Sequence, residues 1–348
     1  MKTSAIICEF NPLHTGHKKL IDFAKTISDK VVCIMSGNFT ERGMPACCNK
    51  YKRAAHAIKA GADLVLELPT VYATAAAPNF ALGGVKIAEL LQADYLVFGS
   101  ECGDVAELQK IAALLKDEDV NAKIKQAMGR GVTYPKAVSL ACGSDILDKP
   151  NNTLAVEYIN AIQSVGSKIA PVTIAREDNF NGPAKQYASS TLLRNNPQCR
   201  NAYTFDFVTN DVDDNIEAKY CDYATRFLAS ADKSYLETIA DVTEGLHNRI
   251  FNADKTHGYE KMMEELKTKR YTRAKLQRIV LNCVLGITKD MENHSKLETP
   301  KIKVLAVKKG EEQLLTGLEN QSDDLTQKAD RLYSTFDGET PPTKLVKI

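Results

Sequence analysis

Two histidines, His14 and His17, flank Gly16 in the stretch FNPLHTGHKKLIDFAK, which directly follows the apolar run Ala5, Ile6, Ile7, Cys8. The run reads as a strand and the residues beyond it carry helical periodicity, so the pair falls where a strand turns into a helix. A helix N-terminus presents unpaired N–H groups and a partial positive charge, which suit phosphate. Gly16 permits close approach of a ligand, and both histidines can donate hydrogen bonds to phosphate oxygens as charge develops. This combination fits a nucleotide triphosphate better than a metal. A histidine at a helix start also reads as a plain polar cap, and the motif alone leaves both readings open.

A second group lies far along the chain in ASSTLLRN. Ser189, Ser190 and Thr191 can cap a helix, and Arg194 follows one turn later on the same face. Hydroxyls, free N–H groups and a planar guanidinium would converge there on an anion. Alone, the stretch also reads as an ordinary N-cap followed by a solvated arginine; beside the histidines it reads as half of a phosphate site.

These groups need a frame. From residue 3 to about 100, β-branched runs (SAIICEF, KVVCIMSG, ADLVLELP, DYLVFGSE) alternate with helical segments. Four buried strands separated by helices predict a parallel sheet covered on both faces, with ligands beyond the strands' carboxyl ends. Chemistry should therefore collect after Phe10, Met35, Leu68 and Phe98. A further strand, KIAPVTIAR, precedes a loop at Asn181 to Pro183, and the first domain closes near residue 200. Residues 215–290 are mainly helical; then come the strand candidate KIKVLAV, helices around Glu311 and Asp324, and a tail with Gly338, Pro341 and Pro342 that reads as loose. The chain is thus α/β, with a parallel-sheet domain over 1–200 and a mainly helical one over 201–348.

Length and charge agree with two domains and exclude a strong overall field. The 348 residues carry 45 Lys plus Arg against 44 Asp plus Glu, so any surface for a polyanion must be local. Nine cysteines without C-x-x-C spacing read as neither a disulfide framework nor a zinc site, and a reducing cytosolic setting follows as the simpler expectation. There is no signal-peptide pattern and no run long enough to span a bilayer, so no membrane role is expected. Nothing calls for an obligate protein partner. His56, His247, His257 and His294 lack metal-cage spacing, so no protein-held metal is expected and magnesium would arrive with a nucleotide.

Two basic groupings remain. SGNFTERGMPACCNKYKRAA supplies Ser36, Asn38, Arg42, Lys50 and Arg53 after the second strand; these could hold pyrophosphate or RNA, and Lys50 and Arg53 are equally natural on a solvated helix face. LKTKRYTRAKLQR places Lys267, Lys269, Arg270, Arg273, Lys275 and Arg278 together with Tyr271 and no acid before Asp290, the pattern of a local RNA footprint. A solvated helix face is the alternative, but the absence of interleaved acids speaks against a salt-bridged surface.

The pairing of FNPLHTGH with SSTLLR resembles the H-x-G-H and S-S-T-x-x-R signatures of the nucleotidylyltransferase superfamily, which attacks the α-phosphate of ATP. Across MSGNFTERGMPA, GADLVLELP, FALGGVKIAELL, FGSECGD, GVTYPKAVSLA, KPNNTLAVEYI, EGLHNRI and LKTKRYTRAKLQR the chain is similar to the tRNA(Met) cytidine acetate ligase family. The resemblance implies a Rossmann-like nucleotidylyltransferase core that activates acetate with ATP as acetyl-adenylate. It also implies acetylation of the wobble cytidine of elongator methionine tRNA. Catalysis would fall on His14, His17 and Arg194. ATP contacts would fall on Ile7, Cys8, Glu9, Phe10, Asn11, Pro12, Leu13, His14, Thr15, Gly16, His17 and Leu20, with Gly99, Asn152, Arg176, Ser190 and Thr191. The basic segment would be the tRNA contact.

The chain departs from the family's pattern in two places: EDNFNGPAKQY replaces a Tyr-His-Asp element expected shortly after Arg176, and the region between KIKVLAV and the last helix is shorter than usual. Two alternatives stay open: an adenylyltransferase for a small metabolite, which would not need the basic segment, and a catalytically silent RNA-binding protein.

Overall fold

The computed structural model describes residues 1–130, 132, 134–176, 188–268, 271–339 and 345–348. The segment EDNFNGPAKQY, the loop at Asn181 to Pro183, Lys269, Arg270, Pro341 and Pro342 lie outside the described residues.

Each expected apolar run forms a strand. β1 (Thr3–Cys8), β2 (Lys30–Ser36), β3 (Leu64–Leu68), β4 (Tyr95–Ser100) and β5 (Ala170–Ala175) are parallel, and β6 (Lys303–Val307) runs antiparallel beside β3. With β7 (Val346–Lys347) the order is β5-β4-β1-β2-β3-β6-β7. The chain winds from β1 outward to β3 and then returns to place β4 on the other side of β1. The crevice beyond the carboxyl ends of β1 and β4 is therefore the topological switch point, where ligands of such sheets gather. The central strands are continuous apolar runs because α1 (Thr15–Ile27) and α2 (Lys50–Lys59) cover one face and α3 (Ala77–Leu90) the other. Gly84 lets α3 sit directly on β1, since a Cβ there would fall 2.4 Å from Ile7 Cδ1.

The expectation of a loose tail is corrected at its end. Val346 and Lys347 pair in parallel with Ala306 and Val307, and the Ile348 N–H donates to the Val307 carbonyl at 3.1 Å. An edge strand leaves a row of backbone groups unpaired, and the alternating sequence KLVKI suits it.

A second, helical core is built from residues 216–336, among them Tyr220, Met262, Leu276, Ile279 and Tyr333. The chain joins the two cores through the loop after β2, which inserts Phe39 and Met44 into the helical core; Phe39 lies edge-on to Tyr220 at 5.9 Å and to Tyr333 at 6.0 Å. A buried ion network joins them again. Lys50 at the start of α2 donates to Glu67 of β3 at 2.7 Å and to Asp330 of the helix Asp324–Asp337 at 2.6 Å. Asn38 donates to Asp330 at 3.0 Å and accepts from the Lys50 N–H at 2.8 Å. Burial pushes the Glu67 carboxyl up to about 7, against the pull of Lys50. The two readings of Lys50 as a phosphate contact or a solvated helix residue are both replaced: it is fully buried and paired inside the protein.

Replacing Lys50 with alanine leaves two buried carboxylates without their cation and should destabilise the fold by about 3–5 kcal/mol, read as a lower midpoint in urea denaturation.

Candidate active site

The turn after β1 is where the first motif lies. Phe10 takes a left-handed backbone (φ 47), a conformation bulky residues rarely adopt, and the Asn11–Pro12 peptide is cis. The chain then enters α1 with His14 as its N-cap. The Gly16 N–H donates to His14 Nδ1 at 3.1 Å and the His14 N–H donates to His17 Nδ1 at 3.3 Å, a capping box made of two imidazoles. The rings stack with centroids 3.7 Å apart, and Phe10 packs on His17 at 5.0 Å.

The cap reading and the phosphate reading are thus compatible. Because each Nδ1 accepts from a backbone N–H, the neutral form of each ring carries its proton on Nε2. Burial, then the charges of His14 and Arg176, hold His17 well below the ordinary histidine range, so it is neutral at physiological pH and donates through Nε2–H. The Thr15 hydroxyl, buried at the first helical position, has no partner among the described residues.

The two signatures, 170 and more residues apart in sequence, meet here. Ser189 caps the short helix Ser190–Asn195 by accepting from the Leu192 N–H at 3.2 Å. From that helix the Ser190 hydroxyl donates to the Pro12 carbonyl at 3.1 Å, and the Arg194 guanidinium donates to the Asn11 carbonyl and, at 3.3 Å, to the Thr191 hydroxyl. Thr204 donates to the Leu13 carbonyl at 2.6 Å. Burial draws Arg194 below its ordinary value, with Cys47 and Glu9 opposing. Leu20, further along α1, packs into the core beneath the turn.

Across the switch point, Gly99 near the end of β4 makes room for Arg176, which follows β5: a Cβ at Gly99 would fall 2.9 Å from Arg176 Cγ. The space over Gly99 is therefore taken by this side chain, whose guanidinium donates to Asn151 at 3.3 Å. Asn152 lies in the first turn of the helix Pro150–Ser164, where its oxygen accepts from the Glu101 and Cys102 N–H groups at 2.8 and 3.1 Å and its nitrogen donates to the Ile146 carbonyl. It shapes the loop after β4.

Arg53 holds a position that sequence reasoning missed. Fully buried on α2, it donates to the carbonyls of Glu9 (2.6 Å), Ser36 (3.1 Å), Cys48 (3.0 Å) and Gly37. It is neither a phosphate contact nor a solvated residue, and it ties the ends of β1 and β2 together. The signal was present, since Lys50, Arg53, Ala54 and Ala57 recur on one helical stripe whose small residues face the sheet. Asn11 adds a second tie by accepting from the Cys47 N–H at 2.7 Å.

The basic segment is more paired than its local sequence suggests. Lys267 is exposed; Arg273 pairs with Glu260 at 2.6 Å; Lys275 stands 3.9 Å from Asp241 and over the Tyr271 ring; Arg278 pairs with Glu41 at 3.0 Å. The acids missing within the segment come from elsewhere in the chain. Among the described residues no group of three or more His, Cys, Asp or Glu side chains could hold a metal, and no helix is long and apolar enough to cross a membrane.

The family model described as HIGH Nucleotidyl Transferase matches residues 1–335. The tRNA(Met) cytidine acetate ligase of Acetivibrio thermocellus is 34% identical over 359 residues, covering 92% of this chain and 86% of that protein. The chain belongs to the tRNA(Met) cytidine acetate ligase family. The ligase of that name from Caldicellulosiruptor saccharolyticus is 38% identical, covering 82% of this chain and 77% of its own length. Within the family the fold is shared: the crystal structure of Thermotoga maritima TmcAL bound with alpha-thio ATP superposes with a TM-score of 0.86 at 26% identity, covering 97% of this chain and 95% of that one.

The depressed His17 titration has a consequence for stability. The unfolded chain binds a proton at this site below about pH 6.5 that the folded chain refuses, so stability is full above that pH and falls as pH drops towards the folded value. Chemical denaturation followed between pH 7.5 and 5 should show this loss, and His17→Asn should flatten the slope by up to about 1.4 kcal/mol per pH unit.

Proposed function

We propose that this family member activates acetate with ATP as acetyl-adenylate and transfers the acetyl group to the wobble cytidine of elongator methionine tRNA, forming N4-acetylcytidine. Family membership makes the chain an ATP-dependent ligase acting on tRNA. The observation that carries the finer reading is the junction of the two signatures, with Arg194 and Ser190 bonded to the carbonyls of Asn11 and Pro12 beside two histidines held as Nε2–H donors.

At this junction the α1 N-terminus, the Thr15 hydroxyl, His14, His17, Arg194 and Arg176 offer donors to a triphosphate, with Thr191 and Gly99 shaping the walls. An acetate oxygen attacks the α-phosphorus, an oxygen–phosphorus bond forms, and the bond to pyrophosphate breaks. The same donors stabilise negative charge on the phosphate and the departing pyrophosphate, without a protein nucleophile. The cytidine amine then attacks the acetyl carbonyl, the carbon–oxygen bond to AMP breaks, and the amine proton passes to solvent. Magnesium would enter with ATP on the phosphate oxygens and neutralise their charge.

In this reading residues 1–200 perform activation, while tRNA docks on 201–348 through Lys267, Lys269, Arg270, Arg273 and Lys275. A tRNA substrate supports a cytoplasmic location.

Exchange of labelled pyrophosphate into ATP, assayed without tRNA, should depend on acetate and drop at least about 100-fold in His17→Ala. Exchange with a different small acid would make the protein an adenylating enzyme for that acid instead. No exchange with or without tRNA would leave a silent binder. The Lys267→Ala, Lys275→Ala double variant should weaken tRNA binding and reduce its salt slope by about 1 to 2.

A further inference from the structure

Among the described basic residues of the segment, Arg278 is the most enclosed. Arg278 lies on the helix Arg273–Leu285 with its side chain 12% exposed, too enclosed to meet an RNA backbone in solvent. Its guanidinium donates to Glu41 at 3.0 Å. Glu41 belongs to the loop after β2, and its N–H donates to the Glu9 carboxylate at 2.7 Å. Glu9 directly precedes Phe10 in the turn that carries His14 and His17, and its carbonyl accepts from Arg53. The line from the helical core to the β1–α1 turn thus runs from the Arg278 guanidinium to the Glu41 side chain and on, through the Glu41 backbone N–H, to the Glu9 carboxylate.

Backbone packing supports the same contact. Gly43, two residues beyond Glu41, has φ +73, and a Cβ there would fall 2.4 Å from the Arg278 nitrogen. The loop lies against the helix at the position from which Arg278 projects. Its other side is anchored by Phe39 and Met44 in the helical core. Burial pushes the Glu41 carboxyl up, Arg278 opposes it, and the neighbouring Glu9 adds to the rise.

We infer that Arg278 is a positioning residue for ATP rather than a tRNA contact, acting through Glu41 and Glu9 to fix the β1–α1 turn against the helical core. The inference rests on the reading of that turn as the ATP site. It assigns to one helix two separate duties: Arg273 and Lys275 near its start face the polynucleotide, and Arg278 one turn later holds the activation site.

Calorimetric titration with ATP in the absence of tRNA and acetate tests this without assuming which acid is activated. Arg278→Ala should raise the Kd for ATP about tenfold or more while changing tRNA affinity less than about threefold. Arg278→Lys, which keeps the charge on a single donor, should recover part of the loss. The charge exchange Glu41→Arg with Arg278→Glu should bind ATP more tightly than either single variant. ATP affinity at the wild-type level in Arg278→Ala, or loss of tRNA affinity alone, would overturn the inference. So would an ATP defect that neither Arg278→Lys nor the charge exchange relieves. A wild-type protein that binds ATP but fails to exchange pyrophosphate with acetate would sink the acetate reading and leave this one standing.

Discussion

The arrangement depends on how the backbone carbonyls at the ends of β1 and β2 are satisfied. Strands of a parallel sheet end in loops whose carbonyl groups leave the ladder, and buried ones need donors. Arg53 supplies them from a single buried guanidinium, reaching Glu9, Ser36, Gly37 and Cys48. A fixed positive fork fits this task because its donors lie in one plane and stay charged when buried. With those carbonyls held, the β1 turn can keep Phe10 in its left-handed conformation and deliver two histidines to the helix start. The turn is thereby held by contacts within the protein, the preorganisation that charge stabilisation at the proposed site would need.

The second organising feature is that distant segments close the same turn. The Ser190–Asn195 helix caps the Asn11 and Pro12 carbonyls, Thr204 takes that of Leu13, and Arg200, buried behind, donates to the Leu193 carbonyl at 2.9 Å. Arg194 bonds the turn at the Asn11 carbonyl and its own helix at the Thr191 hydroxyl. Lys50, Glu67 and Asp330 join the sheet to the helical core at the next strand end. Together these contacts tie the later part of the chain to the β1–α1 turn and to the sheet.

Much of this was legible in the sequence because apolar runs and helical periodicity report burial directly. Strands β1 to β6 follow from such runs, and the H-x-G-H turn was placed correctly because it stands between a strand and a helix. What periodicity could not show was which charged residues are buried. Arg53 and Lys50 look like solvated helix residues until their partners, contributed by Glu9, Ser36, Glu67 and Asp330, are brought to them by the fold. The pairing of Arg273, Lys275 and Arg278 with Glu260, Asp241 and Glu41 was hidden for the same reason, since local sequence reports only local neutralisation. β7 was missed because two residues pairing with an edge are too short for a periodic signal.

The central claim is attack of a carboxylate oxygen on the α-phosphorus at the junction of the two signatures, and oxygen tracing tests it most directly. Acetate labelled with oxygen-18 is supplied with ATP and methionine tRNA, and the products are weighed by mass spectrometry. The account predicts one labelled oxygen in the AMP phosphate and none in pyrophosphate, because the attacking oxygen stays on phosphorus when the amine takes the acetyl group. Label in pyrophosphate or in inorganic phosphate, or acetylated tRNA with unlabelled AMP, would contradict it.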